Sequence, residues 1–258
     1  MSAHFAQLHA PSSPTGHRPV VLLHGGNVAN WMWEPQLPTL TDRLAITPHL
    51  PGFGARTAED WPGLAGAADD MAARIRSLAG DSPVDLIGLS LGGVLALHLA
   101  ARHPDLVASV LASGAAVERV GGVARATSAL QLALWGERWF WKAQAVAFGL
   151  PADSHEPYVA HGLSVRRETA RAMLAEVYAG GVPERLADYP GRMLLVAGER
   201  EPSVMRRSLE TLRRTVPRAE TRIAPGMHHV WNVEDVERWN GMQRAWLDGR
   251  VDSWLTPL

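Results

Sequence analysis

The chain has 258 residues, 47% hydrophobic and 20% charged, with a formal net charge of -1, a balance that suits a large buried core and argues against disorder. No basic excess marks a nucleic-acid binder, and the absence of cysteine excludes disulfides, thiolate nucleophiles and cysteine metal sites. No stretch approaches the roughly 18 apolar residues of a membrane span, and residues 1–16 hold no apolar run resembling a secretory signal, so the expectation is a cytoplasmic protein without membrane or nucleic-acid partners.

Along the chain, strands alternate with helices. Residues 20–23 form a short apolar run ending at His24-Gly25-Gly26, and residues 44–50 a weaker run ending at Pro51-Gly52. Residues 67–78 have helical spacing, with Ala68, Met71, Ala72, Ile75 and Leu78 on one side. The run 84–88 is followed at once by an apolar helix, 91–103, which Pro104 closes. Residues 107–112 and 193–197 repeat the strand pattern. A helix ends over 210–216, a last strand spans 219–224, and a last helix spans 233–247. Runs apolar throughout suit strands buried on both faces of a parallel sheet, and their alternation with helices implies βαβ crossovers. Ligands then gather at the carboxyl ends of the strands.

One region breaks the alternation. Residues 115–186 show helical segments but no strand, with Trp135, Trp139 and Trp141, a loop at 149–151 and a helix near 168–178. The reading is an α/β core over 1–114 and 187–258, with 115–186 inserted as a helical cap over the strand ends. Gly121-Gly122 and Gly180-Gly181 stand near its boundaries as hinges or turns.

Gly88-Leu89-Ser90-Leu91-Gly92 fits Gly-x-Ser-x-Gly between a strand and a helix. A sharp strand-to-helix turn there lifts the serine hydroxyl clear of the sheet, and the flanking glycines leave room for it. Ser90 is the expected nucleophile. Acyl transfer also needs two backbone N–H donors for the oxyanion: Leu91, which follows the nucleophile, and Gly26 on the loop after the first apolar run. His24 reads as a structural residue that holds this loop.

Pro225-Gly226-Met227-His228-His229 follows the last strand, and either histidine of that loop could reach the serine as general base. The acid belongs after the strand 193–197, where the chain reads Gly198-Glu199-Arg200-Glu201-Pro202. Glu201 is the expected acid and Glu199 the alternative; Glu118 and Asp85 are the more distant ones.

With these motifs in order, the chain resembles the α/β-hydrolase superfamily in its small esterase- and lactonase-like branch. The resemblance runs over residues 20–247 and rests on His24-Gly25-Gly26, Leu50-Pro51-Gly52-Phe53-Gly54, the glycine-rich turn 88–93, and residues 226–231. It implies a central mostly parallel sheet flanked by helices, a helical cap after the sixth strand and no cofactor; no metal is expected, since His228 and His229 are adjacent and no His-x-x-x-His helix pattern appears. It also places the base at the second histidine of the pair, His229. The chain departs from the family in three places. His49 stands where an Asp is usual, Glu201 where the acid is more often Asp, and the N-terminal hairpin reduces to one strand over 5–9.

Aromatic residues crowd the cap and the catalytic loops. Trp31 and Trp231 are the expected pocket residues, because each lies near a catalytic loop, and a Trp-lined pocket favours an apolar acyl or alcohol group. The expected reaction is hydrolysis of a small carboxylic ester or lactone through an acyl-enzyme. The same fold also hosts C–C hydrolases, perhydrolases, hydroxynitrile lyases and non-enzymatic ligand binders.

Overall fold

The computed structural model describes residues 5–12, 16–80, 82–148, 150 and 152–258; residues 149 and 151 of the expected 149–151 loop lie outside that set. The strands are β1 (Ala6–His9), β2 (Val20–Leu23), β3 (Ala45–Pro48), β4 (Val84–Leu89), β5 (Val107–Ser113), β6 (Arg192–Gly198), β7 (Glu220–Ala224) and β8 (Thr256–Pro257). They form one eight-stranded sheet in the order β1-β3-β2-β4-β5-β6-β7-β8. The six inner strands run parallel, while β1 on β3 and β8 on β7 are antiparallel edges. This is an α/β-hydrolase fold. The reversal of order around β2 and β4 opens a crevice at their carboxyl ends.

The helices are α1 (Gly63–Ala79), α2 (Leu91–Arg102), α3 (Gly122–Ala133), α4 (Arg138–Ala147), α5 (His155–Ser164), α6 (Arg167–Ala179), α7 (Ser203–Thr215), α8 (Trp231–Glu234) and α9 (Val236–Leu247). The strand runs are apolar throughout because successive side chains enter different cores. Val21 and Leu23 face the layer with α1 and α2, whereas Val20 and Leu22 face Trp33, Trp239 and Trp246. Helix α2 is buried almost all round and is accordingly apolar all round. The last helix expected over 233–247 is divided. Asp235 adopts an extended φ of -141° and its carboxylate accepts the Arg238 amide at 3.0 Å, so it ends α8 and caps α9.

Helices α3 to α6 lie between β5 and β6, and the chain entering this excursion is bonded to the chain leaving it. Gly181 N–H donates to Val117 O at 2.7 Å and Val120 N–H to Tyr178 O at 3.1 Å. At Gly180, φ is +68° and a Cβ would stand 2.7 Å from the Glu118 carbonyl carbon, so glycine is required there. Further bonds hold the excursion down. Glu176 accepts from Trp61 Nε1 at 2.9 Å and from the Leu64 amide at 2.8 Å, and Arg166 donates to Asp60 at 2.8 Å. Among the described residues, no helix is long and apolar enough to cross a membrane.

Candidate active site

Ser90 stands at the turn from β4 into α2, with φ 57° and ψ -118°. A non-glycine residue is held in that sparsely populated region only when its surroundings over-determine it. Here they do. The Ser90 amide donates to the Ser113 carbonyl at 2.8 Å, and the Ser90 carbonyl accepts the Val94 amide at 3.0 Å. The flanking glycines are obligatory, since a Cβ on Gly88 would meet Gly92 O at 2.3 Å and one on Gly92 would meet Leu23 O at 2.0 Å. Ser90 occupies the N-cap position of α2, yet its hydroxyl makes no capping bond. A serine there ordinarily spends its oxygen on the helix; this one keeps it for the cavity, which it lines.

The loop after β2 is fixed from below. His24 is fully buried, and its Nε2 accepts the Leu50 amide at 3.1 Å while Nδ1–H donates to Gly25 O at 2.7 Å. Burial drives its pKa down to about 3, so the ring stays neutral and in one tautomer. His24 therefore supports the loop, as its position in the sequence suggested. The Gly25 amide is turned to Met32 Sδ at 3.3 Å, whereas Gly26 and Leu91 line the cavity beside Ser90. Their amides come from a loop and from the first turn of α2, where N–H groups have no partner within the helix.

On the other side of the cavity, His229 Nδ1 lies 3.1 Å from Glu201 Oε2. The Glu201 side chain is only 1% exposed, and its Oε1 accepts the Gly198 amide at 2.9 Å. The 198–201 turn that carries Glu201 is closed by Glu201 N–H on Gly198 O at 3.2 Å. The competing residues are engaged elsewhere. Glu199 accepts the Gly226 amide at 2.7 Å, and His228 Nδ1 faces the exposed Glu234 at 2.7 Å. Glu118 takes a bond from Thr211 Oγ1 at 2.6 Å, and Asp85 takes one from Ser109 Oγ at 2.7 Å within the sheet. The Ser90 hydroxyl and the His229 ring face one cavity without a direct bond among the described contacts; such bonds tighten when substrate binds.

The cavity measures about 280 Å³ and its wall is mainly apolar, including Trp31, Leu91, Val94, Phe148, Met173 and Leu174. Trp231 does not line it. That side chain is fully buried behind the base loop, its ring 4.5 Å from that of Trp239, and its Nε1 donates to Ser113 Oγ at 3.0 Å. Its nearness to His229 in sequence pointed to the pocket, but at the start of α8 its side chain turns into the core. Ser113, which has no motif of its own, is the neighbour that sequence reasoning missed. Trp135 and Trp141 also pack inward, with ring centroids 4.7 Å apart.

Comparison with known proteins places this geometry in context. Residues 20–240 match the model of the Alpha/beta hydrolase family. The pimeloyl-[acyl-carrier protein] methyl ester esterase of Neisseria meningitidis serogroup B is 38% identical over 105 residues, covering 40% of this chain and 39% of that protein. Among solved structures, the enol-lactonase from Burkholderia xenovorans LB400 superposes with a TM-score of 0.79 at 17% identity, covering 94% of this chain and 95% of that one. An esterase from Exiguobacterium antarcticum gives 0.79 at 17% identity, covering 94% of each chain. The family match spans most of the sequence, and the chain belongs to the alpha/beta hydrolase family.

Proposed function

We propose that this protein hydrolyses a small carboxylic ester or lactone through an acyl-enzyme, with Ser90 as nucleophile, His229 as general base and Glu201 as the acid that orients it. The observation that carries this reading is that His229, on the wall of the cavity that Ser90 opens into, pairs its Nδ1 with the buried side chain of Glu201 behind it. Ser90 Oγ attacks the carbonyl carbon and His229 Nε2 takes its proton, while Nδ1–H remains on Glu201. The amides of Gly26 and Leu91 receive the negative oxygen of the tetrahedral intermediate. His229 then passes the proton to the leaving alkoxide, and a water activated by the same ring releases the acid. In a lactone the leaving alkoxide stays tethered to the acyl group, so the product is one hydroxy acid.

The apolar wall favours an apolar acyl or alcohol group, with Trp31 as a contact. The Neisseria relative is named for cleaving a methyl ester and the Burkholderia neighbour for opening an enol-lactone; both are carbonyl–oxygen cleavages that this site could perform. The test is a panel of p-nitrophenyl esters and small lactones, run with the wild-type protein and with Ser90→Ala. Turnover by the wild type and its loss in Ser90→Ala is the expected result. Full turnover by Ser90→Ala would overturn the assignment.

A further inference from the structure

We propose that Ser113 is a positioning residue that holds the nucleophile turn and the base loop in register, through its carbonyl on Ser90 and its hydroxyl on Trp231. The inference rests on the assignment of Ser90 and His229 made above.

Ser113 is the last residue of β5 and is completely buried. In the sheet it pairs with Leu89 on one side and Val196 on the other, so it lies between the strand that delivers Ser90 and the strand that delivers Glu201. Its carbonyl accepts the Ser90 amide at 2.8 Å. Its hydroxyl accepts Trp231 Nε1–H at 3.0 Å, and Trp231 is two residues beyond His229. The next residue, Gly114, donates its amide to Val196 O at 2.9 Å. With φ at +62°, Gly114 presents a bare Cα to the base, and a Cβ there would stand 2.8 Å from His229 Cε1 and 3.5 Å from Glu201 Oε1. The strand end at 113–114 thus touches all three catalytic loops.

The hydroxyl contact is the part the fold does not require. The Ser90 and Val196 bonds use backbone atoms that any residue supplies, whereas the Trp231 bond needs an acceptor on this side chain. Trp231 is otherwise held by apolar contact, its ring 4.5 Å from Trp239 and 5.9 Å from Trp254. Such packing is compatible with small sliding of the indole. The directional bond to Ser113 Oγ fixes where the indole stops, and therefore where the chain at His229 begins its approach to Ser90.

The test compares Ser113→Ala, Ser113→Thr, Trp231→Phe and the double variant Ser113→Ala/Trp231→Phe on p-nitrophenyl butyrate, with melting temperatures measured alongside. A shift of the base by a fraction of an ångström lowers kcat while leaving ground-state binding alone, so Ser113→Ala and Trp231→Phe should each lose about ten- to a hundredfold in kcat with KM within about twofold. The double variant should lose no more than the worse single one, because both remove the same bond. Ser113→Thr keeps the hydroxyl and should recover most of kcat. Should Ser113→Ala not fold, Trp231→Phe decides alone, since it leaves every backbone bond of Ser113 in place. The proposal is overturned by single variants that keep kcat within twofold, by losses that multiply in the double variant, or by a Ser113→Thr protein no more active than Ser113→Ala at equal melting temperature. If the wild type neither turns over esters nor labels at Ser90 with a fluorophosphonate, the fault lies with the assignment of the nucleophile and not with Ser113.

Discussion

The Glu201 carboxylate holds the His229 ring with one oxygen, at 3.1 Å from Nδ1, and is itself held by the Gly198 amide on the other, at 2.9 Å. Both bonds are directional and the Glu201 side chain is 1% exposed, so the carboxylate holds the imidazole in one orientation. The nearby Glu199 does different work, accepting the Gly226 amide at the turn that begins the base loop.

That division of labour predicts opposite outcomes for two similar substitutions. Glu201→Gln should lower kcat by about 10³- to 10⁴-fold, the scale seen when a triad carboxylate is replaced by an amide. Glu199→Gln should keep kcat within about threefold, since an exposed turn bond to a neutral acceptor is worth little. Steady-state kinetics on one chromogenic ester decides the matter. Equal losses in both variants would contradict the assignment of the acid.

Gly114→Ala should damage activity more than stability. The new methyl would enter the space of the His229 ring, at 2.8 Å from Cε1, in a residue whose φ of +62° already disfavours a side chain. The expected cost in stability is about 1–3 kcal/mol, or a few degrees in Tm. The expected loss in kcat is at least about a hundredfold, because the displaced ring is the proposed base. Calorimetry and kinetics on the same preparation separate the two.

Acid stability should be set in part by the buried histidines under the oxyanion loop. Burial lowers His24 to about 3 and His161 to about 4, each from an ordinary value of 6.5. For a base with a depressed folded pKa, the unfolded chain takes up the proton first as pH falls. Stability is therefore unaffected above about 6.5 and declines from there down towards pH 3–4, by up to about 1.4 kcal/mol per pH unit for each ring. Equilibrium urea unfolding between pH 7 and 5 should show this decline. His161→Gln should flatten the slope, and an unchanged slope would remove His161 from the account.

Trp31 lines the cavity near the oxyanion loop. Trp31→Ala should lower kcat/KM for a hexanoate ester relative to an acetate ester by about tenfold, the loss expected when one apolar contact surface is withdrawn from a bound chain. The ratio of the two substrates, measured in both proteins, is the readout; an unchanged ratio would place the apolar group elsewhere in the cavity.

The sheet and the nucleophile turn were legible in the sequence because local pattern and buried position coincide there. Residues such as Val20 to Leu23 are apolar in unbroken series since both faces of β2 are covered, and Gly88 and Gly92 are needed by backbone contacts that the strand–turn–helix order already implies. Other features depend on approach in space. Glu201 is the expected acid and Glu199 its alternative two residues away, and it is the 198–201 turn that aims the first at the imidazole and the second at Gly226. Trp231 was expected in the pocket from its nearness to His229, yet α8 turns it into the core, where Ser113 and Trp239 receive it. The short β8 strand, with Pro257 in it, carries no periodicity to read, and its existence depends on the edge of β7.

Whether Ser90 is an activated nucleophile can be read by treating the intact protein with a fluorophosphonate and locating the adduct by mass spectrometry, with Ser90→Ala and Glu201→Gln beside it. A single adduct is expected on the peptide containing Ser90, absent from Ser90→Ala and formed much more slowly in Glu201→Gln. A folded wild-type protein that stays unlabelled, or that labels equally well after Ser90→Ala, would contradict it.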